Sequence, residues 1–551
     1  MNKFFTVNRI ILVLILMLAA MLRFWNLGNV PPSASMDEAS IGYNAYSVLK
    51  TGGDEYGKFP LISQRSYDDW RRSTYLLLVV PSVALLGLNV IAVRLPSVLL
   101  SILTVWATYH IALLLFTKQS KFSSNFALLS AFLLAISPWH IYISRLGHES
   151  NACLSFLVFG VLFFLRGLKN IRFLFLSIVF FTLSMISYYS GQVFIPLFAF
   201  GLLYIFRRDL STLVLSNKKI LILFVISAVL LVPIFWAIFS PEALVRFRGT
   251  STFSPEAHSE LFNEQVLLRN KAVEDRNIFG IVYYNRRLFP LKVFLEGYIA
   301  HFNANWLFTN PSSDSFKAPH IGLLYVWEIP FILIGIAAFL LSPDVDPKIK
   351  KLILLWFFLA PVPASIATQV PHAMRSYNFL PTWQILTAFG LVYAVSKLPR
   401  SKAVILTFIT VSVAVGFVSF CKNYFIVFPK EQSNSFHYAL SKAIPYVLSL
   451  EKDYQKVIFS NKDSLRQSYM VFLYYSHFDP SLYQRLGGTG SGGFAETHSF
   501  ARYEFRPISW EKDQLLSNTL FVGNASDFPK QLNGTVFTDL DGEGAIAVVQ
   551  R

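Results

Sequence analysis

The chain alternates long apolar runs with short polar segments over its first four-fifths. Many of these runs reach about 20 residues, the length that an α-helix needs to cross a lipid bilayer. The pattern therefore predicts an α-helical polytopic membrane protein with about 11 transmembrane helices. We place them at residues 8–25, 92–116, 123–137, 150–166, 172–188, 191–206, 219–239, 322–341, 351–368, 376–396 and 402–428.

The apolar segment from Tyr75 to Leu88 is short, and it contains Pro81 and Gly87. Lysine and arginine collect in the cytoplasmic loops of membrane proteins. If this segment does not cross the membrane, every short basic loop falls on one side; if it crosses, the basic clusters divide between the two sides. The charge pattern therefore predicts a cytoplasmic N-terminus and a helix at 75–88 that lies along, or dips into, the outer surface.

Three longer polar regions face outwards under this topology: a first loop at 26–91, a second loop at 240–321, and the region after residue 428. The last region changes composition, and its short β-like runs are separated by turn residues. These runs lie at 456–460, 469–475, 519–523 and 545–549. We therefore predict a membrane domain at 1–428 and a small extracytoplasmic α/β domain at 429–551.

The composition agrees with a lipid environment and limits the classes of partner. Of the 551 residues, 54% are hydrophobic and 15% are charged, whereas soluble domains carry about a quarter of charged residues. The net charge of +16 has a topological explanation, and no basic stripe that would bind nucleic acid is present. Cys153 and Cys421 lie in apolar stretches and provide no metal-ligand spacing. We therefore expect no nucleic-acid partner and no cofactor; a divalent metal stays open but has no motif in its support.

Two adjacent acids, Asp37 and Glu38, follow the first predicted span. One interpretation is structural: the acids lie at the N-terminus of a helix that Ser35 caps, where the helix dipole favours them. The other interpretation is catalytic: a general base with a neighbouring acid acts at the membrane surface. The residue pattern leaves both interpretations open.

Further polar residues collect near the predicted outer ends of the spans. Ionisable groups close to the membrane are costly and usually matter for function, although Trp, Tyr and Arg also anchor helix ends at the interface. Anchoring explains Trp139 and Tyr142 well. It explains the charged and titratable residues less well, and these are further site candidates: Arg145, His148, Glu149, His372 and Arg375.

Several motifs occur in an order that resembles a known family. They are M-D-E-A at 36–39, I-G-Y-N-A-Y at 41–46, K-T-G-G-D-E-Y at 50–56, A-V-R-L-P-S at 92–97, and the stretches at 137–151, 188–196, 320–330 and 371–375. The set resembles the dolichyl-phosphate-mannose-protein mannosyltransferase-like glycosyltransferases of GT-C type, and it looks most similar to prokaryotic members grouped with the lipid A aminoarabinose transferase. The resemblance implies a GT-C fold, an inverting transfer from a polyprenyl-phosphate sugar, and Asp37 as the catalytic base. It implies no particular acceptor.

A mechanism follows as a hypothesis. Asp37 takes the proton of an acceptor hydroxyl, and Glu38 orients Asp37 or binds a sugar hydroxyl. Guanidinium groups suit the departing lipid phosphate because they bind it with two hydrogen bonds. The candidates are Arg145 and Arg375, with His372 as a further donor, and Arg71 and Arg72 in the first loop as secondary candidates. Contact with anionic lipid headgroups is the alternative role of the last two.

The predicted partners are a polyprenyl-phosphate-linked sugar (mannose or a related one), an acceptor that is a protein, a lipid or a glycan, and the lipids of the cell membrane. One alternative is a transporter or flippase of lipid-linked glycans, which would carry ionisable groups in the middle of its spans; the predicted spans lack them. A second alternative is a surface-glycan assembly or binding protein whose C-terminal domain is the functional part.

Overall fold

The structure is a computed structural model that describes residues 2–67, 69–116, 121–216, 232, 259–309, 316–397, 402–490, 497–529, 532 and 534–551. Apart from Val232, the predicted span at 219–239 lies outside the described residues, and so does the first part of the predicted loop at 240–321. The described chain is mostly helical, with a small sheet near its C-terminal end.

The first four helices are α1 (Asn2–Phe24), α2 (Met36–Thr51), α3 (Thr74–Leu86) and α4 (Val90–Leu114). The later helices of eight or more residues lie at Lys121–Ile136, Glu149–Gly167, Ile171–Ser187, Tyr189–Ile205, Arg207–Ser216, Ser259–Glu274, Phe289–Ala300, Glu328–Leu341, Pro347–Leu359, Thr382–Lys397, Lys402–Lys422, Tyr438–Leu450 and Ser468–Ser476. Shorter α-helices lie at Pro138–Ser144, Ile278–Tyr283, Val362–Ser365, Phe428–Glu431, Pro480–Arg485 and Trp510–Asp513.

Within the described ranges, five helices are long and apolar enough to cross a membrane, or seven if each of two bent helix pairs counts as one span. The prediction of about 11 spans is therefore not confirmed. At three other predicted spans the helices have only 17, 14 and 13 residues. At about 1.5 Å per residue these helices fall short of a hydrocarbon core about 30 Å thick. They lie at Ile171–Ser187, Glu328–Leu341 and Pro347–Leu359.

Helix α3 corresponds to the ambiguous apolar segment of the first loop. It has 13 residues and stops before Gly87, whose positive φ of 75° ends the helical geometry. A helix of this length extends over about 20 Å, which agrees with a position along the membrane rather than across it. The side of the membrane on which it lies stays a prediction.

The chain divides into two compact units. The first unit contains Met1–Ala20, Ser101–Ile143 and Ser150–Phe420, and the second unit contains Met21–Leu100, Ser144–Glu149 and Cys421–Arg551. The second unit thus contains both the predicted first loop and the C-terminal region, and it holds most of the candidate site residues. The predicted domain boundary after residue 428 stays a prediction.

Close helix packing characterises the first unit. The helix Glu328–Leu341 packs along the helix Thr382–Lys397, and Gly335 and Gly390 lie where the two backbones approach each other. A Cβ atom on either glycine would overlap the backbone of the opposite helix. Small residues permit this approach in membrane proteins, where van der Waals packing and interhelical hydrogen bonds hold the helices together.

The first loop contains strands β1 (Ser63–Ser66) and β2 (Asp69–Arg72), and the C-terminal part of the second unit contains β3 (Lys456–Phe459), β4 (His498–Phe500), β5 (Tyr503–Phe505), β6 (Thr519–Asn524), β7 (Gly534–Thr538) and β8 (Gly544–Gln550). The last six strands form one sheet with the order β4-β5-β3-β6-β8-β7. Strand β3 is parallel to both β5 and β6, while the β4–β5, β6–β8 and β8–β7 pairs are antiparallel. One face packs on a core that includes Ile458, Phe521 and Val549.

The predicted strand at 469–475 is wrong, because these residues form the helix Ser468–Ser476. Every residue from Ser468 to Tyr474 is buried. A short run that is apolar on all sides has no period that separates a helix from a strand. The other three predicted strands are present as β3, β6 and β8.

Candidate active site

Asp37 lies in the first turn of helix α2, where a capping box fixes the start of the helix. Ser35 Oγ accepts a hydrogen bond from Glu38 N at 3.2 Å, and Glu38 Oε2 accepts one from Ser35 N at 2.9 Å. The predicted cap at Ser35 is therefore confirmed. The cap satisfies backbone donors at the helix end and leaves the side chain of Asp37 28% exposed.

Asp37 forms an ion pair with Arg71, which a hairpin in the first loop supplies. Strands β1 (Ser63–Ser66) and β2 (Asp69–Arg72) are antiparallel. Arg71 Nη2 donates to Asp37 Oδ1, and the negative charge of Asp37 contributes to a raised pKa of the Arg71 guanidinium despite its burial. Arg71, named from the sequence only as a secondary candidate, is thus the cation that the structure brings to the acid.

His148 lies beside Asp37 and pairs with Glu149. His148 Nε2 lies 3.8 Å from Asp37 Oδ2 and 3.3 Å from Glu149 Oε2. The side chains of His148 and Glu149 are 10% and 4% exposed. The imidazole therefore stands between two carboxylates, and the structure brings four of the sequence candidates together: Asp37, Arg71, His148 and Glu149.

Glu38 has a structural position rather than the catalytic one that the sequence allowed. It is 1% exposed, and Arg94 Nε and Nη2 donate to its two carboxylate oxygens at 2.7 and 3.0 Å. Gly147 N donates to Oε1 at 2.8 Å. Burial alone would raise the pKa of Glu38. The positive charge of Arg94 and the hydrogen bonds donated by Arg94 and by the backbone amides of Gly147 and Ser35 lower this pKa. Four protein donors bind the carboxylate, so the geometry favours a structural role for Glu38 over the predicted orienting of Asp37 or binding of a sugar hydroxyl.

Arg145 is also held by the protein itself. Its guanidinium donates to the carbonyl oxygens of Leu22, Arg23 and Val30 at 2.6–2.9 Å and lies over the ring of Phe425. The residue is fully buried. Since its donors are directed at backbone carbonyls, the geometry favours a role in fastening the end of α1 to the first loop over the predicted binding of a lipid phosphate.

Arg72 lies next to Arg71 but projects from the other face of the hairpin. Its Nη1 donates to Ser63 Oγ at 2.7 Å, and the residue is 3% exposed. Neighbouring residues in a strand point to opposite faces, so Arg71 and Arg72 do not share a site.

His372 and Arg375 belong to the first unit. His372 accepts a hydrogen bond at Nδ1 from Arg375 N at 3.3 Å, and its backbone N donates to His301 Nε2 at 3.2 Å. Its ring stacks on Phe316, and Arg375 Nη1 donates to the carbonyl oxygen of Thr368. Both remain candidates for substrate binding.

Arg94 and Glu55 are buried residues of the second unit that the sequence pattern does not single out. Arg94 stands out only as part of the A-V-R-L-P-S motif, although an arginine at the start of an apolar span needs a partner. Glu55 lies in K-T-G-G-D-E-Y and is 1% exposed. Burial raises the pKa of Glu55 to about 7, against hydrogen bonds from Thr489 and Asn44 that lower it. Neither position carries a pattern that reveals its partner.

In the part of the chain that the structure describes, no group of three or more His, Cys, Asp or Glu side chains is placed to hold a metal ion. The expectation that no cofactor or metal is required stays a prediction.

Comparison with known proteins bears on the family. The profile described as dolichyl-phosphate-mannose-protein mannosyltransferase matches residues 75–236. The resemblance to this family is confirmed. The matched segment contains Arg94, Arg145, His148 and Glu149, while Asp37 and Arg71 precede it. No curated protein sequence matches the chain.

Solved structures show the same fold. ArnT from Cupriavidus metallidurans, bound to undecaprenyl phosphate, has a TM-score of 0.52 at 11% identity, over 100% of this chain and 98% of that protein. The Archaeoglobus fulgidus oligosaccharyltransferase tethered to an acceptor peptide has a TM-score of 0.51 at 13% identity, over 85% of this chain. The chain spans only 63% of the length of that oligosaccharyltransferase. The predicted GT-C type of fold, shared with membrane glycosyltransferases, is therefore confirmed.

Proposed function

We propose that the chain is an inverting glycosyltransferase that moves a sugar, mannose or a related one, from a polyprenyl-phosphate donor to a hydroxyl acceptor on the extracytoplasmic face of the cell membrane. One observation carries the proposal. Of two adjacent acids, Glu38 is locked into the protein interior, whereas Asp37 is partly exposed and has Arg71 and His148 at its carboxylate. A partly exposed carboxylate beside a guanidinium and an imidazole is an arrangement that suits this chemistry.

The reaction has one bond-forming and one bond-breaking event at the sugar. The acceptor oxygen attacks C1 of the sugar, and the bond between C1 and the phosphate oxygen breaks with inversion at C1. Asp37 takes the hydroxyl proton, a contribution typically worth about 10²–10⁴ in rate. The bonding pair of electrons leaves with the lipid phosphate, which is a good leaving group and therefore requires no general acid.

Cations next to the base stabilise the negative charge that grows on the phosphate. Arg71 uses Nη2 on Asp37, and its Nη1 is buried with no hydrogen-bond partner in the described chain. One guanidinium thus orients the base and retains a donor for the phosphate. His148 is a second donor, and His372 and Arg375 are further candidates for the phosphate.

The solved structures support the substrate class. The ArnT structure holds undecaprenyl phosphate and the oligosaccharyltransferase structure holds an acceptor peptide. The first complex fits the proposal of a lipid-linked donor, and the second fits a protein among the possible acceptors. The acceptor is a protein, a lipid or a glycan.

The experiment incubates the purified full-length protein in lipid nanodiscs with a panel of polyprenyl-phosphate sugars, together with membrane extract as a source of acceptors. We expect release of lipid phosphate from one donor and an inverted glycosidic linkage in the product, measured by nuclear magnetic resonance. Absence of release from every donor, with folded protein and acceptor extract present, would contradict the proposal.

A further inference from the structure

Gln64 has a side chain whose polar atoms are unsatisfied. It lies in strand β1, is 1% exposed, and neither Oε1 nor Nε2 has a hydrogen-bond partner in the described part of the chain. Leaving a buried polar group without a partner costs about 1–3 kcal/mol. Proteins seldom carry such groups, and each one calls for a specific explanation.

The position of Gln64 provides that explanation. Gln64 is the cross-strand partner of Arg71 in the hairpin, and the side chains of directly opposed residues lie on the same face, with Cβ atoms about 5 Å apart. Ser66, two residues further along that face, is hydrogen-bonded through Oγ to Ser40 Oγ at 2.9 Å. This face of the hairpin therefore packs on α2, the helix that carries Asp37.

Two neighbouring side chains on this face thus have unused hydrogen-bonding groups. The amide of Gln64 offers two N–H donors and one acceptor oxygen, and Nη1 of Arg71 has no partner among the residues that the structure describes. The adjacent Asp37 is already bound by Nη2 of Arg71. A hydroxyl group donates one hydrogen bond and accepts another, so an amide matches it at both atoms.

We propose that Gln64 binds a hydroxyl group of the substrate sugar that lies at Asp37, and that it is a specificity-determining residue of the transfer. This inference rests on the proposed function. A site built to hydrogen-bond a hydroxyl rejects an analogue that lacks it, because its own polar groups are then left buried without a partner. The hydroxyl belongs either to the sugar of the lipid-linked donor or to a sugar acceptor.

The test uses Gln64→Met, which has nearly the same length and shape but no polar atoms. Since the substitution removes an unsatisfied buried amide, we expect the Tm of the substrate-free protein in nanodiscs to stay the same or to rise. We expect kcat/KM for the donor that the wild type uses to fall about tenfold, mainly through a higher KM. A structural role would change stability and activity in the same direction.

Monodeoxy analogues of that donor identify the hydroxyl. The wild type should discriminate against one analogue, and Gln64→Met should lose this discrimination while it keeps the others. If donor discrimination is unchanged and the KM of a sugar acceptor rises instead, the hydroxyl belongs to the acceptor. Unchanged kinetics with every donor and acceptor, in a folded variant, would overturn the inference and leave the proposed function intact.

Gln467→Met is the matched control. Gln467 is 3% exposed and its two amide atoms also lack a partner in the described chain, but it lies at the start of the helix Ser468–Ser476. We expect no change in its KM values. If Gln64→Met does not fold, Gln64→Asn, which retains a shorter amide, should show the same loss of discrimination to a smaller degree. A wild type that neither turns over any donor of the panel nor gains thermal stability from one contradicts the proposed function itself.

Discussion

Glu38 and Arg94 form a two-point ion pair inside the second unit, with Arg94 Nε 2.7 Å from Glu38 Oε1 and Nη2 3.0 Å from Oε2. Arg94 also donates to the carbonyl oxygens of Leu27, Pro31 and Ser33. The pair therefore joins the start of α2 to the start of α4 and to the segment that precedes Asp37. It is a fixed support for the residue beside it.

The first prediction concerns this support. Glu38→Ala leaves the charge of Arg94 buried without a counter-ion, and breaking a buried pair in this way typically costs about 3–5 kcal/mol. We expect a lower Tm and a lower yield, with near-normal activity for each correctly folded molecule.

Glu504→Gln is the control for Glu38→Ala, because Glu504 pairs with Lys456 and Arg506 near the surface and such pairs contribute about 0–1 kcal/mol each. Thermal unfolding of the two variants and the wild type measures the difference in their Tm values. A Glu38→Ala protein with normal Tm but no transfer would show instead that Glu38 acts on the substrate.

The second prediction concerns Arg71. In Arg71→Ala the carboxylate of Asp37 loses its orienting partner, and misplacing a reacting group by about 1 Å can cost about 10² in rate. We expect kcat to fall by about that factor, and to fall less in Arg71→Lys, which keeps the charge but not the planar fork.

Arg72→Lys is the comparison, since Arg72 projects from the opposite face of the hairpin and donates to Ser63. Steady-state kinetics at saturating donor should show little change in its kcat. Equal losses in the Arg71 and Arg72 variants would mean that the hairpin acts only through its stability.

How much the sequence could predict differs between neighbouring residues. The motif order and the position after the first span were enough to propose Asp37 as the base. They did not reveal that Glu38 is bound inside the protein, because that depends on Arg94, which lies 56 residues away in the chain. Gln64 was missed for a similar reason: a lone glutamine in a polar loop carries no motif until the hairpin places it opposite Arg71.

The fold shows the same limit. Apolar runs predicted most helices, and alternation with turn residues predicted β3, β6 and β8. The run Tyr469–Tyr475 lies in a helix, and because its side chains are buried on nearly all sides it has no periodicity that separates a helix from a strand. Arg145 was proposed as a phosphate ligand because of its charge and its place beside a span; the three carbonyl oxygens that it binds come from residues more than 100 positions earlier.

The third prediction tests the structural role of Arg145. Arg145→Lys cannot reach all three carbonyl oxygens, and each unsatisfied buried acceptor costs about 1–3 kcal/mol. We expect a lower Tm and an unchanged KM for the donor in the folded fraction. A normal Tm with a strongly raised donor KM would restore Arg145 as a phosphate ligand.

The fourth prediction concerns pH and Glu55. Because burial raises its pKa in the folded protein from 4.5 to about 7, the folded state binds this proton more tightly than the unfolded state. The stabilisation that the folded state gains by binding this proton at Glu55 is fully present below pH 4.5. It is lost as the pH rises to about 7, a change of at most roughly 3 kcal/mol in the free energy of unfolding.

Glu55→Gln carries a permanent N–H donor next to Thr489 Oγ1, which lies 2.5 Å from Glu55 Oε2. We expect this variant to be more stable than the wild type above pH 7 and to depend less on pH between 4.5 and 7. Denaturant unfolding at several pH values measures this, with the exposed Glu511→Gln as control. Identical pH profiles for Glu55→Gln and the wild type would refute the buried, proton-binding role.

The role of Asp37 is tested most directly by the rate of sugar transfer in Asp37→Asn, measured in nanodiscs with the lipid-linked donor that the wild type uses. Asparagine keeps the shape and cannot take the acceptor proton, so we predict a loss of about 10²–10⁴ in rate with an unchanged donor-induced rise in Tm. Asp479→Asn, at the N-terminus of the helix Pro480–Arg485, should retain the wild-type rate. A folded Asp37→Asn protein with the full rate of transfer would contradict the assignment of Asp37 as the base.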